Sequence, residues 1–246
     1  MKLIFPIVIA VLCVFDPCLF AQQLNSTWAK PTPQYQSPSF CPQEGQGGDE
    51  ILNRAKNRID VPSFYHGVSF SSIKNLHSAD AAAEKDRDVL TAQQTAEISK
   101  YEGIPVRVTG YIKFGRIDTI VNPDFVGVEK KGAEACNCGS TQADEVDYHI
   151  TIVKNRGDEF RDAIVVEMSP RVRASHPAWS LANLRAYARN ETQVRVFGWL
   201  MFDGEHKELM YDPDKPDKPR VRRASLWEIH PITRFEVKID GVWMIL

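Results

Sequence analysis

Alternation of apolar and polar residues after Gly103 constrains the fold more than any other feature of the sequence. The apolar residues Val106, Val108 and Ile112 alternate with polar ones, which is typical of a β-strand with one buried face. The segment 194–200 repeats the pattern Val-Arg-Val-x-Gly that begins at Val106. A glycine at this point of a strand marks a sharp bend or the close approach of another backbone. We therefore expect both segments to be strands of a strongly curved sheet.

Further alternating segments complete a pattern of five strands and one helix. The remaining strands are expected at 147–153, 163–168, 193–202 and 225–237, and a helix at 175–189. Closing five short strands into a barrel removes the exposed edges that an open sheet would leave. We therefore predict a mainly β (α+β) fold, a five-stranded Greek-key barrel with a helix between its third and fourth strands.

This order of elements is that of the oligonucleotide and oligosaccharide-binding (OB) fold, and the segment 103–237 resembles that superfamily. Four motifs are also similar to an uncharacterised family of exported bacterial proteins: Glu-Met-Ser-Pro-Arg-Val-Arg at 167–173, His-Pro-Ala-Trp at 176–179, Gly-Trp-Leu at 198–200 and Leu-Trp-Glu-Ile-His-Pro at 226–231. The resemblance implies an OB-like barrel and an exported chain, and it assigns no catalytic residue.

The N-terminus has the three parts of a cleaved secretory signal peptide. A positive charge at Lys2 precedes an apolar run over 3–15, and the small residue Ala21 precedes a polar segment. The apolar run is shorter than the ~20 residues that a membrane span requires. We therefore expect residues 1–21 to be removed, no membrane span in the mature chain, and a secreted or periplasmic location.

Two segments are expected between the signal peptide and the barrel. Residues 22–48 are rich in Pro, Gln, Ser and Gly, a composition that predicts a disordered tether because it buries too little apolar surface. Residues 49–102 are expected to form a helical arm with helices at 49–58 and 78–101, the second capped by Ser78. The barrel domain then covers 103–246.

Three cysteines remain after the expected cleavage: Cys41, Cys136 and Cys138. Thiols tend to pair in an oxidising compartment, so we expect a disulfide from Cys41 to either of the other two. The Cys-Asn-Cys spacing could instead supply two metal thiolates, although a zinc site would then need histidine partners from elsewhere.

The first functional hypothesis is a non-catalytic binding module without a cofactor, which recognises a polyanion, a glycan or an envelope protein. The formal net charge is −2, so any attraction to a polyanion must be local. The charged loop 212–223 and the turn after the third strand supply a basic rim, and Tyr111, Phe197 and Trp199 offer stacking surfaces. The candidate ligand-binding residues are Arg171, Arg173, Trp199, Arg220, Arg222 and Arg223. An ordinary solvated loop fits the same composition.

The second hypothesis is a metal-dependent hydrolase, phosphodiesterase-like, that uses histidines and carboxylates of the barrel. Strand parity places Asp147 with His149 on one face, and Glu228 with His230 on one face. The candidate ligands of a divalent metal are Asp147, His149, His176, His206, Glu228 and His230. Imidazole and carboxylate groups bind divalent metals that activate water. The same six residues also fit a reading as separate surface or capping residues, and convergence of three histidines with a carboxylate would favour the metal site. No His-Glu-x-x-His motif is present.

Overall fold

The computed structural model describes residues 41–76, 83, 85–113, 128–130, 134–142, 144–212, 214 and 221–246. The predicted signal peptide, residues 22–40 of the predicted tether, and Arg220 lie outside the described residues. Within these described ranges, no helix has the length and apolar composition needed to cross a membrane.

The described chain is mainly β and contains a closed barrel. Its strands are β1 (His66–Gly67), β2 (Pro105–Ile112), β3 (Val128–Lys130), β4 (Tyr148–Val153), β5 (Ile164–Met168), β6 (Gln193–Phe202), β7 (Trp227–Ile239) and β8 (Val242–Ile245). Five of them close in the order β2, β4, β5, β7, β6 and back to β2. Strands β5 and β7 are parallel, and the other neighbours in the ring are antiparallel. The predicted closed five-stranded barrel is therefore confirmed.

The two repeated strands owe their curvature and close packing to their glycines. Strands β2 and β6 pair antiparallel, with Val108 opposite Val196, and both valines point into the core. A Cβ atom at Gly110 would overlap the carbonyl oxygen of Val153, and one at Gly198 would overlap that of Pro231. Only a residue without a Cβ atom therefore allows the neighbouring strands to approach this closely at these two positions.

Helices lie around the barrel and differ in part from the prediction. They are α1 (Glu50–Lys56), α2 (Phe70–Lys74), α3 (Ala92–Ser99), α4 (Pro170–Arg173) and α5 (Leu181–Arg189). The helix predicted at 49–58 is found as α1. Among the described residues of 78–101, only α3 is α-helical, because Leu90 is extended and Thr91 starts a new helix with a capping box. Helix α5 begins later than predicted, because Ser180 rather than Ser175 accepts the capping hydrogen bond.

Residues 41–49, the described part of the chain before α1, are packed against the barrel. Cys41 is disulfide-bonded to Cys138, which confirms the predicted disulfide and leaves Cys136 as a buried free thiol. The guanidinium of Arg171 donates to the carbonyl oxygens of Cys41 and Pro42, at 2.7 Å each, and to Oδ1 of Asn57 at 2.9 Å. These contacts hold the segment 41–58 on the outside of the barrel. From here on, "the arm" means this segment 41–58 and not the longer helical arm predicted at 49–102.

Apolar contacts also attach helix α1 to the barrel. Leu52 and Ala55 are buried with Met201 of β6 in a small hydrophobic cluster, separate from the barrel core. Helix α1 is capped at its N-terminus by Asp49, whose carboxylate accepts the backbone N–H of Leu52 at 3.0 Å. The arm is therefore a cover on the barrel wall beside β6.

Candidate metal centre

A cluster of ionisable side chains lies on the outer wall of the barrel where β4, β5 and β7 are neighbours. Alternation turns Ile150, Val166 and Ile229 into the core, so the residues before and after them face outward. His149 lies opposite Glu167 in the β4–β5 pairing, and Val166 lies opposite Ile229 in the β5–β7 pairing. Side chains of the three strands thus meet in one row.

Glu167 occupies the middle of this row and contacts two histidines. Its Oε1 lies 2.8 Å from Nε2 of His149, and its Oε2 lies 3.1 Å from Nδ1 of His230. Burial alone raises the pKa of Glu167, but the two imidazoles outweigh burial and hold that pKa well below its ordinary value. Burial has the opposite effect on the histidines, because it lowers the pKa of His149 and of His230. Glu167 and the other nearby carboxylates more than offset this effect, so both pKa values are raised.

A second group of donors lies at the solvent side of the cluster. Glu134, His149 and His206 each place a ligand atom within 4.8 Å of the other two. Their side chains are 17%, 9% and 14% exposed, so this group is the part of the cluster that borders solvent. Burial raises the pKa of Glu134 to about 7. We call these residues the rim group.

The arm contributes a cation to the cluster. Lys56, at the end of α1, is buried, with its Nζ 3.3 Å from Oδ2 of Asp203 and 3.4 Å from Oε2 of Glu205. Burial lowers the pKa of Lys56, but Asp203 and the other nearby carboxylates outweigh it and raise that pKa well above its ordinary value. Burial raises the pKa of Asp203, and the Lys56 ammonium reverses this shift and lowers it.

The floor of the cluster is formed by a second set of residues. Asp147, Glu167 and His230 each place a ligand atom within 4.8 Å of the other two, and all three are buried. Oδ2 of Asp147 accepts from the Asn137 amide at 3.0 Å and from the Cys136 thiol at 3.4 Å. Burial raises the pKa of Cys136, so the thiol keeps its proton and donates it. We call Asp147, Glu167 and His230 the floor group.

The structure brings five of the six predicted metal ligands into this cluster: Asp147, His149, His206, Glu228 and His230. His176 lies elsewhere, because its ring stacks on Trp179 with centroids 4.0 Å apart and its Nδ1 lies 2.9 Å from the carbonyl oxygen of Val172. Four residues of the cluster were not among the predicted ligands: Lys56, Glu134, Glu167 and Asp203. Lys56 and Glu134 do not lie on strands, so no alternating pattern marks them.

Most of the predicted ligand-binding arginines are turned inward. Arg171 holds the arm, and Arg173 is buried, donating to the carbonyl oxygens of Val146 and Met168 at 2.9 Å. Arg223 is buried and paired with Glu228. These three arginines therefore do not form the solvent-facing basic rim that the sequence suggested, because buried backbone carbonyls and a buried carboxylate occupy their donors.

The remaining predicted ligand-binding residues lie closer to the surface. Arg222 is partly buried. Trp199 is also partly buried, with the guanidinium carbon of Arg58 3.6 Å above its ring and its Nε1 donating to the carbonyl oxygen of Asp60 at 3.0 Å. Trp199 is therefore the predicted residue that still combines an aromatic ring with a neighbouring cation near solvent.

Neither a protein-family model, a curated protein nor a solved structure matches this chain. The predicted resemblance to an exported bacterial family therefore stays a prediction, and the geometry of the cluster carries the functional argument.

Proposed function

We propose that the protein is an exported, metal-dependent hydrolase with its divalent metal on the outer wall of an OB-like barrel. The observation that carries this proposal is that His149 and His206 place ligand atoms within 4.8 Å of each other and of a Glu134 oxygen. The disulfide supports an oxidising compartment. In OB barrels the second and third strands form the ligand-binding face. Here the second and third strands of the barrel are β4 and β5, which carry His149 and Glu167.

The rim group has the donor set of a catalytic metal site. Two imidazoles and one carboxylate bind catalytic zinc and leave positions open for water or substrate. Nε2 of His149 lies 3.7 Å from Oε1 of Glu134 and 2.8 Å from Oε1 of Glu167, so two carboxylates approach the same ring nitrogen.

The charge of the cluster also favours a bound cation. Four buried carboxylates, those of Asp147, Glu167, Asp203 and Glu228, are grouped around the cations of Lys56 and Arg223. With neutral histidines this leaves an excess of negative charge in a buried region, which is costly unless it is compensated. The raised pKa values of His149 and His230 favour protons on these imidazoles that compensate it, and a divalent cation would replace those protons.

The chemistry then follows from general properties of such sites. A divalent metal lowers the pKa of a bound water to about 7, which supplies hydroxide near neutral pH. The Lys56 ammonium, kept charged by Asp203, offsets part of the negative charge of the cluster.

Loss of His206 is expected to weaken metal binding at least tenfold, because it removes one of the few donors of the rim group. The measurement is calorimetric titration of the metal-free chain with Zn²⁺. His176→Ala is the matched control, since His176 lies outside the cluster, and it should bind Zn²⁺ like the wild type. A wild type that binds no Zn²⁺ below about 100 µM, or equal affinity in the His206 variant, would contradict the proposal.

A binding module for polyanions remains the second candidate, and one observation favours it. The outward face of β6, β7 and β8 carries arginines stacked on aromatic rings, with Arg195 3.9 Å from the Trp243 ring centroid and Arg234 5.0 Å from that of Phe197. Together with Arg58 on Trp199, these pairs combine positive charge with stacking surfaces, as in proteins that bind single-stranded nucleic acids.

If this face binds a polyanion, Trp199→Ala should lower affinity for a labelled single-stranded oligonucleotide, since base stacking is worth roughly 1–3 kcal/mol. Arg195→Ala should instead flatten the dependence of log affinity on log salt by ~0.7 per lost phosphate contact. Fluorescence anisotropy at several salt concentrations measures both effects, and His206→Ala should leave them unchanged. Absence of binding by the wild type at low salt removes this candidate.

A further inference from the structure

Several buried polar atoms of the cluster have no hydrogen-bond partner among the described residues, and two of them, on Asp147 and His230, have no ion-pair contact there either. Oδ1 of Asp147 and Nε2 of His230 have no hydrogen-bond partner among the described residues, and each residue is only 1% exposed. The other polar atom of each side chain is occupied: Oδ2 of Asp147 by Asn137, and Nδ1 of His230 by Glu167 and Glu228. Buried polar atoms are rarely left unpaired, so these two atoms indicate a missing ligand.

The two buried cations that border the cluster pair with carboxylates outside the floor group. Lys56 pairs with Asp203, and Arg223 pairs with Glu228. The floor group of Asp147, Glu167 and His230 nevertheless has its ligand atoms within 4.8 Å of one another. Two carboxylates and an imidazole form a donor set for divalent metals. The missing ligand therefore has the chemistry of a divalent cation.

Glu167 connects the floor group to the rim group. One of its oxygens lies 2.8 Å from His149 of the rim group, and the other lies 3.1 Å from His230 of the floor group. Both groups therefore share Glu167, whose two oxygens would become available to neighbouring cations once metal binding displaced the imidazole protons. Pairs of metal ions about 3.5–4 Å apart are a recurrent arrangement in hydrolytic enzymes.

We infer that the cluster binds two divalent cations, the second on Asp147, Glu167 and His230, and that the substrate is a phosphate ester. The inference rests on the proposed function, which places the first cation in the rim group. Two metal ions stabilise both the attacking and the leaving oxygen of an in-line displacement at phosphorus. The oxygen of water bonds to phosphorus, the ester P–O bond breaks, the proton of water passes to solvent base, and the leaving alkoxide takes a proton to become an alcohol.

The test is a Mn²⁺ titration of the metal-free full chain, followed by metal analysis and electron paramagnetic resonance. The wild type should bind two Mn²⁺ per chain and show the spectrum of a coupled pair. Asp147→Asn, which keeps the shape of the side chain, and His230→Ala should each bind one Mn²⁺ with an uncoupled spectrum. His176→Ala should match the wild type, because that histidine lies outside the cluster.

The outcomes separate the inference from the proposed function. One uncoupled Mn²⁺ in the wild type, or a coupled pair that persists in both floor variants, overturns the second site and leaves the rim site standing. No bound Mn²⁺ and no bound Zn²⁺ in the wild type overturns both. Hydrolysis of bis(4-nitrophenyl) phosphate should rise at least tenfold between the first and second equivalents of Mn²⁺, and a rate already maximal at one equivalent also overturns the inference.

Discussion

Arg223→Ala is expected to destabilise the protein by about 3–5 kcal/mol, because it leaves a buried charge without its partner. Arg223 and Glu228 are both buried and form an ion pair. Burial lowers the pKa of Arg223, and Glu228 more than offsets that effect and raises it. Without the guanidinium, Glu228 keeps only its contact with His230. Urea-induced unfolding in the presence of a chelator measures the loss.

Arg195→Ala is the matched control for this substitution. Its partner Glu236 is also buried but retains a second arginine, Arg234, so the expected loss is below about 1 kcal/mol. Replacing the whole pair, as Arg223→Met with Glu228→Gln, should recover much of the stability, because no charge is then left unpaired. A loss below 1 kcal/mol for Arg223→Ala would show that the buried pair is not needed for the fold.

Removal of the disulfide by Cys41→Ser with Cys138→Ser is expected to cost about 4–5 kcal/mol. The bond joins residues 97 apart in sequence, and closing a loop of that length removes much of the conformational entropy of the unfolded chain. The free energy of unfolding under oxidising conditions, from urea titration, is the measurement.

Cys136→Ser provides the control for the disulfide variant. It keeps the loop closed and retains a donor for Asp147, so a smaller loss, below about 2 kcal/mol, is expected. If the free energy of unfolding of the double variant lies within 1 kcal/mol of the wild type, the noncovalent contacts of the arm are sufficient to hold it, and the entropic argument does not apply.

Strand positions were predictable because barrel strands leave a period of two in the sequence. That pattern found the five barrel strands and the two glycines at close approaches. It did not find β1 and β3, which have only two and three residues, or β8. A signal for β8 was present, since Asp240 and Gly241 have positive φ angles of 47° and 82°, and Asp-Gly is typical of a tight hairpin turn.

The site was predictable in part for the same reason. Alternation places His149 and His230 on the outward face, and the same rule applied to β5 identifies Glu167. Strand alternation does not identify Lys56, because Lys56 lies on a short basic helix, where a lysine is normally solvated. Its burial depends on docking of the arm, a tertiary event that leaves no local pattern.

Contacts between distant parts of the chain have a consequence for the rate at which the cluster forms. Lys56 and Glu205 are 149 residues apart, and Arg171 and Asn57 are 114 apart. Chains dominated by such non-local contacts fold slowly, on the order of milliseconds to seconds, because long loops must close first. No hairpin or single helix of this protein assembles the cluster alone. Occupancy of the cluster by a metal ion would therefore report completion of the whole fold, and a ligand that binds only the native state would hold the chain there by mass action.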